Sequence, residues 1–76
     1  MTRLIIKLDD TVTYIPQANI LMVTTDGIET KVYFPKDSPL LYVLPTIHAK
    51  FIFNTGYISL PYEAVKWYYN GYEYPI

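Results

Sequence analysis

Cysteine is absent from this sequence, histidine occurs once and glycine three times in 76 residues. Without thiols there is no disulfide, no thiolate metal site and no thiol nucleophile. A single imidazole excludes every multi-histidine metal motif. Gly27, Gly56 and Gly71 stand far apart, so the chain has no glycine-rich phosphate cradle and no dinucleotide fingerprint. Charge is scarce as well. Charged residues make up 17% of the chain, and six basic against seven acidic side chains leave a net charge of −1. The basic residues are scattered. That disfavours an electrostatic nucleic-acid binder, because phosphate affinity comes from clustered Lys and Arg. Long apolar runs are missing too. Leu4-Ile5-Ile6 is cut by Lys7 and Asp9-Asp10, and the uncharged stretch from Ser38 to Ala49 is broken by Pro39 and Pro45. Neither supplies the roughly 20 apolar residues of a membrane helix, nor does the first serve as a signal segment. The expectation is a cytoplasmic protein that does not enter a membrane.

What is present is apolar and aromatic. Hydrophobic residues reach 51% and aromatic residues 17%, a foldable composition far from that of disordered chains. The length allows one small domain over residues 1–76. Chains of this size rarely bury enough apolar surface to be comfortably stable alone, and they rely on disulfides, metals or oligomerisation. With no disulfide possible and a metal unexpected, a homo-oligomer or a partner is the remaining remedy.

The local patterns read mostly as β. Arg3 to Leu8 is a strand with Leu4, Ile6 and Leu8 on one face, and Asp9-Asp10 is a turn. Thr11 to Ile15 is β-branched and aromatic, as strands prefer. Pro16 to Asn19 makes a second turn, and Ile20 to Thr25 reads as a strand buried on both faces. Asp26-Gly27 suits a two-residue hairpin turn. After it Ile28, Thr30, Val32 and Phe34 alternate with Glu29, Lys31 and Tyr33, the mark of a half-buried strand. A loop at 35–39, a short apolar segment at 40–44 and strands at 51–54 and 57–60 follow. Residues 61–69 admit two readings. Pro61 can open a short helix that Asn70-Gly71 ends. Alternatively Asn70-Gly71 is a type I′ turn joining Val65–Tyr69 to Tyr72–Ile76. The hairpin is favoured, because it sets Tyr69 against Tyr72, Tyr68 against Glu73 and Trp67 against Tyr74, and cross-strand aromatic pairs stabilise sheets.

Few constellations carry chemistry. His48 lacks companions for a triad, since the only serines are Ser38 and Ser59, and a general base needs a nucleophile and an orienting acid. Asp9, Asp10 and Asp26 do not follow the alternating acidic loop of calcium sites and read as turn residues. No catalytic residue, cofactor or metal site is therefore expected. The unusual feature is the aromatic end. Tyr62, Trp67, Tyr68, Tyr69, Tyr72 and Tyr74 all fall within residues 62–76. Three uses are open: a core cluster, a protein interface of the kind Tyr and Trp enrich, or stacking on single-stranded bases. Only Lys66 supplies positive charge there, which weighs against the last.

His48-Ala49-Lys50-Phe51-Ile52-Phe53-Asn54 resembles the His-x-x-aromatic-Ile-x-Asn signature of LytTR-type DNA-binding domains, and Ile58 fits the same pattern. The opening from Leu4 to Val23 and the closing Asn70-Gly71-x-x-x-Pro75-Ile76 are similar to that family's first strands and last hairpin. The resemblance implies that His48, Lys50 and Asn54 face DNA. The chain departs from the family in its shorter length, in Ala49 where an Arg or polar contact is usual, and in the lack of basic residues around the last hairpin. Its first forty residues are also similar to small flagellar FlbD-like proteins.

Two expectations follow. The fold is all-β, a small antiparallel sheet or open barrel built from hairpins; a short helix near 61–69 stays open beside the favoured hairpin, and α+β is the alternative class. The function is that of a non-enzymatic regulatory or structural binding module, acting by protein contact and self-association through an exposed edge strand and Tyr62, Trp67, Tyr68, Tyr69, Tyr72 and Tyr74. The alternative is a LytTR-like DNA-binding regulator or a truncated derivative. A basic stripe through Arg3, Lys7, Lys31, Lys50 and Lys66 would mark a DNA face, whereas an uncharged aromatic patch would mark a protein partner.

Overall fold

The computed structural model describes residues 1–36 and 56–76. Their strands are β1 (Arg3–Leu8), β2 (Thr11–Pro16), β3 (Met22–Thr25), β4 (Glu29–Tyr33), β5 (Tyr57–Pro61), β6 (Val65–Tyr69) and β7 (Tyr72–Pro75). They form two antiparallel sheets, one in the order β2-β1-β6-β7 and the other β3-β4-β5. The fold is all-β. The helix considered at 61–69 is reduced to a single 3₁₀ turn over Tyr62–Ala64, and Val65–Tyr69 is a strand. Its β-branched and aromatic residues gain more from cross-strand packing than from a lone helical turn. The segments expected at 40–44 and 51–54, and the end of the loop at 35–39, lie outside the described residues.

Both sheets contribute to one core. Leu4, Ile6, Ile15 and Val65 from the first meet Val32, Ile58 and Leu60 from the second, with Phe34 just past the end of β4. Burying each such side chain is worth about 1.5–3 kcal/mol relative to exposure. β1 is central to its sheet, pairing with β2 on one side and β6 on the other. This explains why Leu4, Ile5 and Ile6 are buried consecutively. Leu4 and Ile6 face the core. Ile5 faces outward, flanked in register by Tyr14 and Lys66. Beside it Arg3 sits over Tyr14 and Tyr68, its guanidinium carbon 5.2 and 5.3 Å from the two ring centres. The two rings meet edge to face at 5.4 Å. Such aromatic and cation–π contacts cover Ile5 without requiring a third layer.

The two described crossovers between sheets are built alike. Pro16 precedes the 3₁₀ turn Gln17–Asn19, and Pro61 precedes Tyr62–Ala64. Each proline has φ near −57° and an extended ψ. The ring locks that φ, so the chain leaves its strand at a fixed angle and enters the opposite sheet.

Two expectations about the middle of the chain are corrected. The Asp26 N–H donates to the Glu29 carbonyl at 3.2 Å, which makes Gly27 and Ile28 the corner residues instead of Asp26 and Gly27. Gly27 supplies the positive φ of 88°. Ile28 therefore sits in the turn at 80% exposure instead of on the core face, while Thr30, Val32 and Phe34 keep that face as their alternation predicts. Asp26 serves the turn through its side chain. Oδ1 accepts from the Ile28 and Glu29 N–H groups at 2.9 and 2.8 Å, and those donors, Glu29 first, hold its carboxyl below the usual carboxylate range. The other correction concerns β3. It is an edge strand with Met22, Thr24 and Thr25 exposed and only Val23 turned inward, because no described strand lies on its far side.

Candidate protein-interaction site

The terminal hairpin adopts the favoured reading. Asn70 and Gly71 have φ of 56° and 86°, the positive pair that a type I′ turn requires. That turn sets Tyr69 opposite Tyr72, Tyr68 opposite Glu73 and Trp67 opposite Tyr74. Trp67 also lies opposite Leu4 on β1, so Trp67, Tyr69, Tyr72 and Tyr74 share the core-side face. β1 begins only at Arg3, however, opposite Tyr68. The hairpin consequently runs past the end of its neighbour. Trp67 still packs on the core. Tyr69 and Tyr72 lie past the end of β1, Tyr74 lies beside Trp67 on the edge strand, and all three are exposed, Tyr72 at 67%.

On the same face Trp67 borders a cleft of about 250 Å³ of mixed polarity, lined by Gln17, Ile20, Leu21, Met22, Val23 and Ile76 as well. Leu21 and Met22 are themselves exposed. The cleft forms because the crossover after β2 drops β3 beside the C-terminal hairpin, and Trp67 bridges core and cleft. A shallow recess with apolar side chains and polar backbone and amide groups in its wall suits a side chain from another protein. None of its lining side chains is a nucleophile, acid or base.

The six aromatic residues singled out in the sequence do not form one patch. Tyr68 points to the opposite face of the sheet, against Tyr14 and Arg3. Tyr62 is half-buried in the second crossover, where its N–H donates to the Ile28 carbonyl at 3.0 Å. Trp67, Tyr69, Tyr72 and Tyr74 are the four brought together. The cleft itself was not read from the sequence. Its only signal in the chain is the apolar pair Leu21-Met22, within a segment apolar enough to suggest a strand buried on both faces.

The basic residues are divided among surfaces. Register places Arg3, Lys7 and Lys66 on the outer face of the four-stranded sheet. There the Lys7 ammonium donates to the Glu73 carboxylate at 2.8 Å and holds that carboxyl below its usual range. Lys31 belongs to the outer face of the other sheet, 5.3 Å from the centre of the Tyr57 ring. His48, Lys50 and Asn54 lie outside the described residues. Among the described residues no continuous basic stripe forms, and two of the basic side chains on the first face are occupied by Glu73 and by tyrosine rings. Random duplex DNA should accordingly bind weakly at about 0.15 M salt, the physiological ionic strength, since few counterions would be released. Fluorescence anisotropy checks this, and nanomolar affinity would reinstate the DNA-binding alternative.

Among the described residues no three of His, Cys, Asp and Glu come together as a metal site, and no helix is long and apolar enough to cross a membrane. Asp9, with φ of 51°, and Asp26 occupy turn positions. No family model, no curated protein and no solved structure matches this chain.

Proposed function

We propose that the protein is a non-enzymatic binding module of the cytoplasm, regulatory or structural in role, that acts by protein contact and by self-association. The observation that carries this reading is the exposed row of Tyr69, Tyr72 and Tyr74, the first two of which run past the end of β1. A sheet face that continues past its own neighbouring strand exposes apolar area that a monomer gains nothing by displaying. Tyrosine suits such a place, because it offers a large rigid ring at low entropic cost and keeps a hydroxyl for the wet rim. The adjoining cleft adds a recess for an anchoring side chain.

The test uses a Tyr72→Ser, Tyr74→Ser double variant. Both side chains are exposed, so the melting temperature should stay within a few degrees of wild type, as for surface substitutions generally. Affinity for a protein captured by wild type from nuclease-treated lysate should fall by at least the 1–2 kcal/mol of a hot-spot pair, roughly tenfold or more. Equal capture by the folded double variant would remove this face from the function. Capture seen only from lysate without nuclease treatment would point to nucleic acid instead.

A further inference from the structure

A strand at the edge of a sheet offers unpaired N–H and C=O groups, and proteins pair, cover or blunt them. The two edges of the four-stranded sheet are treated differently. In β7 the two-residue turn makes Tyr69 and Tyr72 a hydrogen-bonded pair, and Trp67 and Tyr74 the next. Glu73 and Pro75 then direct their backbone groups outward. Pro75 has no N–H to offer, and Glu73 brings a carboxylate. This edge is blunted.

β2 is not. The Gln17 N–H donates to the Thr2 carbonyl at 3.1 Å. That bond sets the alternation of the ladder, so that Ile15 and Thr13 hydrogen-bond toward β1, while Val12 and Tyr14 direct N–H and C=O away from it. The strand Thr-Val-Thr-Tyr-Ile-Pro has six residues, none charged, and it is rich in β-branched side chains. Val12 and Tyr14 are exposed. Among the described residues no strand pairs with its outer side. β3, one of the two described edges of the other sheet, is only four residues long, and its Thr25 hydroxyl is already tied into the turn, donating to the Glu29 carbonyl and accepting from the Gly27 N–H.

Building on the self-association read above, we infer that β2 is a dimerisation edge, pairing antiparallel with β2 of a second copy about a twofold axis at Thr13. The strand is complementary to itself in that register. Val12 faces Tyr14 of the second copy, so both outward N–H groups and both outward C=O groups on each chain find partners. On the outer face each Val12 packs against a tyrosine, and on the inner face the two Thr13 side chains meet, both favourable cross-strand pairs. Asp10 falls opposite Pro16, so no like charges oppose each other. The result is one continuous sheet in the order β7-β6-β1-β2-β2-β1-β6-β7. Its outer edges are the blunted β7 strands, so assembly closes at two copies instead of propagating. The overhanging tyrosines remain available to a different protein.

Sedimentation equilibrium of the full chain, with two variants, tests this. Wild type should sediment at twice 8.9 kDa at micromolar concentration. Val12→Pro removes one outward N–H and leaves the β1 ladder intact, and it should sediment as a folded monomer at concentrations where wild type is dimeric. Thr13→Cys introduces the chain's only thiol. Directly opposed residues of a non-hydrogen-bonded antiparallel pair have Cα atoms about 4.5 Å apart, within the span of a disulfide. Mild oxidation should therefore cross-link this variant to a covalent dimer, while Thr24→Cys on β3 stays uncross-linked. A wild-type monomer at high micromolar concentration overturns both the edge assignment and the self-association reading. A wild-type dimer that survives Val12→Pro, with no Thr13→Cys cross-link, overturns the β2 edge alone. Should Val12→Pro fail to fold, the contrast between the two cysteine variants decides.

Discussion

Replacing Phe34 by alanine should lower stability by about 3–5 kcal/mol, the usual cost of deleting a buried phenyl ring. Phe34 is 3% exposed and packs in the cluster shared by both sheets. Its backbone is held as well, because its N–H donates to the Gly56 carbonyl at 3.1 Å. The surroundings therefore have little freedom to collapse into the space. Natural domains are stable by only about 5–15 kcal/mol, so this one change removes a large share of the total. A domain of this size loses roughly 4–8 °C of melting temperature per kcal/mol, and the expected drop exceeds about 10 °C. Ile28→Ala is the matched control. Ile28 is apolar and in phase with Phe34 in sequence, yet it stands exposed at the turn and should change stability by no more than about 0.5 kcal/mol. Thermal melts of the two variants together separate core from turn. Similar losses in both would put Ile28 back on the core face.

Leu4→Ala should cost about 2–5 kcal/mol. Leu4 is fully buried on the central strand of its sheet, opposite Ile15 on one side and Trp67 on the other. Truncation would leave a void against both neighbours, and β1 cannot move inward without disturbing two ladders at once. The same change reports on the candidate site. Trp67 is the chain's single tryptophan and bridges the core and the cleft, so its emission should shift to longer wavelength as water reaches the indole. Denaturant unfolding followed by circular dichroism gives the energy, and tryptophan fluorescence of the folded variant gives the local change. A variant as stable as wild type, with unchanged emission, would mean that Trp67 does not rest on Leu4.

Much of the strand pattern was legible because its causes are local. Alternation from Thr30 to Phe34 exposes the period of a half-buried strand whatever pairs with it. Asn70-Gly71 specifies its own turn, and a two-residue turn fixes the register of everything beside it, so the pairing of Trp67 with Tyr74 could be written down before any fold was known. The readings that needed correction each depended on a neighbour distant in sequence or on a shift of one residue. Ile28 follows the alternation of β4 but falls in the corner, because Asp26 closes the turn one position later than its Asp-Gly signature suggests. Ile20 to Thr25 looks apolar enough for two-sided burial, yet β3 finds itself at an edge.

Local residue patterns set the all-β class, the closing hairpin and its register, the buried alternation in β4, and the lack of any thiol or polyhistidine chemistry. These rest on backbone preference, side-chain period and residue inventory, all properties of a few adjacent residues. The packing of whole sheets decided that β1 pairs with β6 across most of the chain, that Tyr68 lands on Arg3, and that the hairpin outruns β1 at Tyr69 and Tyr72. It also decided which edge is blunted by Pro75 and which, along Val12 and Tyr14, is left open. Sheet order and strand overhang are set by the packing of two whole sheets on one core, and no short window of sequence contains both sides of that contact.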